Sequence, residues 1–523
     1  MLRRPVDLTL PVPVSTPPQL THTTFPPLFP DFEMVGPERS KRELQNLCRV
    51  IPYHLDNEVG EVLMDVILGH STPNTHLDLF LHDWDTIYQD IPVHQRWARR
   101  DSSQLPTTSL VGPAAVVDLS DVGSKDCDDI DLDIFKHRAG HVQPGDIVLV
   151  RTDQTRRFHP HKWIELQRQG VITKDLPHIT EAVADWLIQE KRIVAFISDM
   201  VATDNGGWQR LDWKVEQRFY RAGVVMVDDA VNLHRLEAPR IYVNLGVAYK
   251  IQGTENSPAR VVALTGGSEL EGSKCIDLFC PVKLPEQVPT APFRKVQPKE
   301  LKGDLMKKCW IKGVLHTMHM KQYGYGEDKL AWLQFNLYCN HIGTHMKFPL
   351  LGERGGLMPE AVRCDSVSIP TERLVGRAVV IDAPVGCRQD VEVKDIERSL
   401  RAREPEIRPG DIAVVRTGFA DDFYPRADFL SLTPGFSLKA VRWLLDKGIK
   451  ILITDAASIE AQAWKGHTFG AGHLECFGKG VPVVLSAGNL WMLRKPTAFV
   501  FCSPAPIADL NAAPVRVIAV EEY

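Results

Sequence analysis

The second half of this 523-residue chain repeats the first, block by block and in the same order, and that limits its fold more than any single motif. Gln143-Pro-Gly-Asp-Ile-Val-Leu-Val-Arg-Thr152 returns as Arg408-Pro-Gly-Asp-Ile-Ala-Val-Val-Arg-Thr417, a turn leading into a short apolar strand. Asp185-Trp-Leu returns as Arg442-Trp-Leu, Gly223-Val-Val-Met-Val as Gly480-Val-Pro-Val-Val, and Pro258-Ala-Arg-Val-Val-Ala as Pro514-Val-Arg-Val-Ile-Ala. A fifth block sets Thr72-Pro-Asn-Thr-His-Leu-Asp-Leu-Phe-Leu-His82 opposite His341-Ile-Gly-Thr-His-Met-Lys-Phe-Pro-Leu-Leu351. Within each half, apolar strand-like runs alternate with amphipathic helical patterns such as 438–447, so the expected class is α/β in two tandem copies.

A chain of this length exceeds what one core usually fills, which agrees with two domains. The first copy is expected over 1–275 and the second over 303–523, joined by a linker at 276–302 that contains the Pro- and Lys-rich stretch Pro281 to Lys302. Two similar domains in one chain are expected to pack as an intramolecular pseudo-dimer, which either replaces a homodimer or dimerises further.

Composition excludes several function classes. A net charge of -5 and the lack of a long basic run give no footprint for nucleic acid. No stretch approaches 18 apolar residues, so no membrane span is expected. The N-terminal 30 residues lack the apolar core of a signal peptide, and the ten cysteines form no CxxC pair; both features suit a cytoplasmic protein with reduced thiols.

His341-Ile-Gly-Thr-His345 followed by Pro349 resembles the signature His-x-Gly-Thr-His-x-Asp-x-Pro-x-His of the cyclase, kynurenine formamidase and isatin hydrolase family. Thr454-Asp-Ala-Ala-Ser-Ile-Glu460, His473 and Gly480-Val-Pro-Val-Val, followed by Asn489-Leu, resemble that family's later segments in the same order. The resemblance implies a swivelling β/β/α-like domain, a metal-dependent amide hydrolase, and one or two divalent ions held by signature histidines, the signature aspartate, a later histidine and a late glutamate. Carried onto the first copy, it implies His76 and Asp78 as metal ligands, His82 as the acid–base group, Asp228 at the late-glutamate position and Glu216 where the later histidine stands. Departures are Thr72 for the first histidine, Asn74 for glycine, and Phe80 and Val225 for prolines. The second copy keeps His341, His345 and His473 but has Lys347 for the aspartate, Leu351 for the acid–base histidine and Leu485 for the glutamate, and reads as a degenerate, non-catalytic site without metal.

The residues support this chemistry on their own terms. His76 and Asp78 are two apart, so on a strand they leave the same face with roots about 6.6 Å apart and can reach one ion. His82 joins them only if the chain turns after Asp78; taken alone it reads as a structural imidazole. If Glu216 and Asp228 converge on Asp78, three carboxylates share one place and a cation is the economical way to keep them ionised. Glu216 equally fits an exposed position on the helical run 213–221. One imidazole with oxygen donors favours manganese, or magnesium, while still permitting zinc. Lys347 is expected either at the vacant cation position, against an anionic substrate, or simply in solvent. His316 and His319 could share a helix face, and Asp126 to Asp133 reads as a solvated acidic turn.

The first expectation is therefore a cytoplasmic hydrolase of an amide, cyclic amide or lactone in a small aromatic molecule, dependent on one divalent ion, manganese or zinc. Two rivals stand beside it. One is a repurposed cyclase or lyase of specialised metabolism with little metal dependence, and the other a non-catalytic binding or scaffold protein.

Overall fold

The computed structural model describes residues 105–122, 129–154, 178–200, 214–228, 230–247, 256–265, 343–350, 357–424, 429–461, 470–506 and 511–522, with 203, 250 and 270, and the backbone strands 3–7, 31–35, 48–54, 62–68, 76–78, 274–277, 316–325 and 328–337. In the first half the strands are β1 (Arg3–Asp7), β2 (Asp31–Val35), β3 (Cys48–His54), β4 (Val62–Leu68), β5 (His76–Asp78), β6 (Val111–Asp118), β7 (Ile147–Arg151), β8 (Ala195–Ser198), β9 (Val225–Asp228), β10 (Arg240–Asn244), β11 (Asn256–Pro258), β12 (Val262–Thr265) and β13 (Lys274–Asp277). In the second half they are β14 (His316–Tyr325), β15 (Asp328–Leu337), β16 (His345–Lys347), β17 (Val375–Asp382), β18 (Asp390–Val391), β19 (Ile412–Arg416), β20 (Gly435–Phe436), β21 (Ile451–Thr454), β22 (Val483–Leu485), β23 (Thr497–Pro504) and β24 (Ala512–Glu522). The longer helices are α1 (Leu132–Arg138), α2 (Glu181–Gln189), α3 (Lys214–Ala222), α4 (Val393–Arg403), α5 (Leu438–Asp446) and α6 (Ala471–Gly478).

The repetition read from the sequence is a repetition of sheets. One sheet runs β11-β5-β9-β8-β7-β6-β10-β12-β13, and the other runs β1-β24-β16-β22-β21-β19-β17-β23. Strand for strand, β5, β9, β8, β7, β6 and β10 correspond to β16, β22, β21, β19, β17 and β23. The four inner strands of each set are parallel. Such strands are covered on both faces and need continuous apolar runs, which 147–150 and 412–415 supply. In the second sheet β24 pairs with both β16 and β23, closing the sheet on itself. In the first sheet β11 and β12 divide the same task, one pairing with β5 and the other with β10.

The repeated Pro-Gly-Asp turn works identically in both halves. Gly145 and Gly410 take φ of 86° and 89°, a region glycine enters without cost. The next aspartate accepts the amide three residues back at 2.7 Å, Gln143 N to Asp146 Oδ2 and Arg408 N to Asp411 Oδ2.

Edge strands cross between the halves. β1 pairs antiparallel with β24, setting Asp7 against Ile518, while β13 pairs antiparallel with β12, setting Asp277 against Val262. Val6-Asp-Leu and Ile276-Asp-Leu are themselves repeats of one another, so the opening strand of each copy lies on the other copy's sheet in the same register. The expected boundary after 275 thus falls inside β13, and residues 278–302 of the expected linker lie outside the described residues.

Helices α1, α2 and α3 cover one face of the first sheet through Phe135, Val183, Leu187 and Phe219. The opposite face carries Leu149, Ile197 and Val227 into a cluster that also contains Val375, Phe499, Phe501, Ile518 and Val520 of the second half. Tyr242 and Phe501 stack at 6.4 Å, and Asn244 Nδ2 donates to Ser503 Oγ at 2.8 Å. The fully buried Arg260 donates to the carbonyls of Ser366 and Ile369 across the same boundary. Gly246 takes φ of 63° beside Arg260, where a Cβ would stand 1.7 Å from the Arg260 carbonyl oxygen.

One expectation is corrected here. His316 and His319 lie on strand β14, not a helix, so residues three apart fall on opposite faces. In the acidic stretch the described Asp129, Asp131 and Asp133 are exposed, as expected of solvated carboxylates, and Asp131 also caps α1 by accepting from Ile134 N at 2.9 Å.

Candidate functional site

In the first half the expected ligands sit on two neighbouring strands. β5 pairs antiparallel with β9 in a register that sets His76 against Asp228 and Asp78 against Met226. Residues directly opposite in such a pair share a face, with Cβ atoms about 4.5–5.5 Å apart. Alternation along β5 puts Asp78 on that face as well. His76, Asp78 and Asp228 therefore occupy adjacent positions on one side of the sheet.

Asp228 is buried, and its Oδ1 accepts from Ser198 Oγ and Thr203 Oγ1, both at 3.1 Å. Two hydroxyls thus fix the carboxylate's orientation from β8 and the segment after it. Glu216 lies in the first turn of α3 and is only 3% exposed, so the solvent-facing alternative does not hold. Thr72 and His82 lie outside the described residues. The nearby Asp199 accepts both the amide of Thr152 at 2.7 Å and its hydroxyl at 2.8 Å, and burial pushes its pKa up to about 6. Asp455 makes the same pair of bonds with Thr417 in the second half, where burial also raises it.

The chemistry of this donor set fits a divalent cation: the buried Asp228 lies on the strand beside the one that bears His76 and Asp78, and the buried Glu216 lies on the helix that packs on the Asp228 strand. Buried carboxylates call for a proton, a hydrogen-bond donor or a cation. Among the described residues no group of three or more His, Cys, Asp or Glu side chains forms a complete metal site.

The second half reproduces the register with different residues. His345 stands against Leu485, and Lys347 against Val483. The sequence alignment of Asp228 with Leu485 and of Asp78 with Lys347 is therefore also a spatial one. His345 is buried, with Nδ1 3.0 Å from the Gly343 carbonyl oxygen, which suits Nδ1–H as donor. Burial, with the charge of Lys347 added, depresses its pKa to about 3. His341 lies outside the described residues.

One residue here was not singled out as a site residue from sequence. Glu460 accepts from Ser458 Oγ at 3.2 Å and from the amides of Gly472 at 2.9 Å and His473 at 3.1 Å, at the start of α6. Its two oxygens lie 3.1 and 2.9 Å from His473 Nδ1. Burial opposes ionisation of Glu460, but the imidazole, the amide donors and Lys347 outweigh it and hold the carboxyl below its usual range. Burial likewise lowers His473, against the pull of Glu460, so the ring is neutral with its Nδ1 proton directed at the carboxylate. The signal was present: Glu460 closes the segment Thr454 to Glu460 that resembles the family's later run and precedes His473.

Comparison with protein families agrees with the repeat. The family model for a putative cyclase matches residues 6–205 and again 283–461, a double match that fits a tandem duplication. A kynurenine formamidase from Erythrobacter litoralis is 28% identical over 125 residues, 24% of this chain and 49% of that protein. The chain thus spans about half the length of that curated relative. Among solved structures, isatin hydrolase A from Ralstonia solanacearum is 22% identical, with 40% of this chain and 82% of that one covered at a TM-score of 0.35. A potential metal-dependent hydrolase with cyclase activity is also 22% identical, with 39% and 88% covered at a TM-score of 0.29.

Proposed function

Because the chain belongs to the putative cyclase family, we propose that it is a metal-dependent hydrolase of an amide, cyclic amide or lactone bond in a small aromatic molecule. The observation that carries the reading is the register of β5 on β9, which groups positions 76, 78 and 228 on one face. His76, Asp78 and Asp228, with Glu216 as a fourth donor, would hold one divalent ion. Oxygen-rich donation favours manganese, with zinc accommodated. When bound, the ion supplies polarisation of the scissile carbonyl and a more acidic water. The chain's own groups do the rest. Ser198 and Thr203 keep Asp228 aimed by holding its Oδ1, the supporting role outer hydrogen bonds play around ligating carboxylates. His82 would take the proton from the attacking water and return it to the leaving group. A change from neutral amide to carboxylate and amine then needs no other cofactor.

The two copies are read as an intramolecular pseudo-dimer, divided near 275 and 303, working in the cytoplasm on a small molecule with no nucleic-acid or membrane partner. Among the described residues no helix is long and apolar enough to cross a membrane.

Elemental analysis of protein purified without added metal or chelator tests the reading against His76→Ala/Asp78→Ala. About one equivalent of manganese or zinc, lost in the double variant, supports it. No metal in either protein after reconstitution overturns it and promotes a metal-independent cyclase or a scaffold.

A further inference from the structure

The Glu460–His473 pair in the second half has an open end. His473 Nδ1 faces Glu460, which leaves Nε2 on the far side of the ring; that atom is buried and has no hydrogen-bond partner, in a side chain 8% exposed. A buried acceptor left unmatched costs about 1–3 kcal/mol, and such atoms in a native fold ask for an explanation. The surroundings argue against a divalent cation as the missing partner. Lys347 lies two residues from His345 on β16 and therefore on the same face, and the position opposite His345 carries Leu485 instead of a carboxylate. The ammonium is near enough for its charge to act on His345, Glu460 and His473 alike. A dication beside that ammonium would be repelled, the paired positions of β16 and β22 offer it no carboxylate, and Glu460 is already committed to three N–H groups and a hydroxyl.

We propose that the second half holds a metal-free ligand site for a small carboxylate bearing an adjacent O–H or N–H, with the carboxylate beside Lys347 and the neighbouring donor on His473 Nε2. Each part of the site takes one part of the ligand. The fixed cation selects the carboxylate, and the neutral imidazole, oriented by Glu460, accepts only a hydrogen-bond donor. The site is separate from the metal positions of the first half and does not depend on the hydrolase reading.

Calorimetric titration of the chelator-treated full chain with salicylate and glycolate, against benzoate and acetate as controls lacking the donor, tests it. At least one hydroxy acid should bind at one equivalent and roughly tenfold more tightly than its control, the preference a matched hydrogen bond confers. Lys347→Met should weaken both members of the pair by roughly tenfold or more. His473→Phe should abolish the preference for the hydroxy acid while leaving the control unchanged, and the wild-type comparison stands even if that variant does not fold. Binding of neither hydroxy acid, equal binding of acid and control, or loss of binding in His76→Ala/Asp78→Ala instead of Lys347→Met would overturn the proposal. Metal content in the first half is read independently, so failure here is distinct from failure of the hydrolase reading.

Discussion

Asp228 stands directly across an antiparallel ladder from His76, and the equivalent ladder in the second half has Leu485 across from His345. The same backbone register thus presents an imidazole and a carboxylate position in one half and an imidazole facing an aliphatic side chain in the other.

If Asp228 is a ligand, Asp228→Asn should lower metal affinity by about 10-fold or more and Asp228→Leu, which copies the second half, should abolish binding. Ser198→Ala and Thr203→Val remove the hydroxyls on Oδ1 and should cost about 10–100-fold in affinity or turnover without unfolding the chain. Metal titration followed by a turnover assay checks all four; undiminished binding in Asp228→Leu would remove Asp228 from the site.

Asp199 carries a stability signature in pH. Its folded pKa of about 6 lies above the unfolded value of about 3.9, so the folded state binds the proton more tightly. Its contribution is therefore most favourable below about pH 4 and declines as pH rises through about 6. Two units correspond to about 3 kcal/mol at pH 8. Asp199→Asn keeps an acceptor for Thr152 without the charge, and its stability relative to wild type should improve between pH 4 and pH 8. Urea unfolding at both pH values checks the sign, and a difference independent of pH contradicts it.

Arg260→Met should destabilise the whole chain by about 2–5 kcal/mol, because it withdraws charged donors from two buried carbonyls of the other half. Gly246→Ala should do comparable damage by driving a Cβ into the Arg260 carbonyl. Denaturant titration should show both halves losing stability together; a loss below about 1 kcal/mol in both variants would mean that this contact is dispensable.

Deleting residues 1–8 removes β1 and uncovers the 518–522 edge of β24. An uncovered edge strand invites pairing with another molecule, so the truncated chain should associate further than the intact one. Light scattering of the two at equal concentration checks this.

The correspondence between the two halves was legible because the repeat is carried by features that leave local marks. Gly145 and Gly410 announce turns, 147–150 and 412–415 announce buried strands, and the spacing from Gly223 to Asp228 equals that from Gly480 to Leu485. Positions 76, 78 and 228 could therefore be aligned correctly with 345, 347 and 485 without coordinates. The exchange of β1 and β13 was not legible, since a strand of four or five residues carries no record of which sheet edge it will join. Nor was the burial of Glu216, whose helix has a strongly polar surface around it, or the pairing of Glu460 with His473 across a gap of 12 intervening residues.

The crossing of β1 and β13 has a consequence for how such a molecule changes over generations. In an assembly of two identical subunits, every substitution appears twice, and a damaged site is damaged on both sides. Here each half is written separately, so Asp78 can persist while its counterpart becomes Lys347. Yet neither half can be discarded, because each supplies an edge strand and part of the shared apolar layer of the other. The second half is thus retained by the architecture whatever its own chemistry does, which leaves residues such as Lys347 and His473 free to acquire a different occupation.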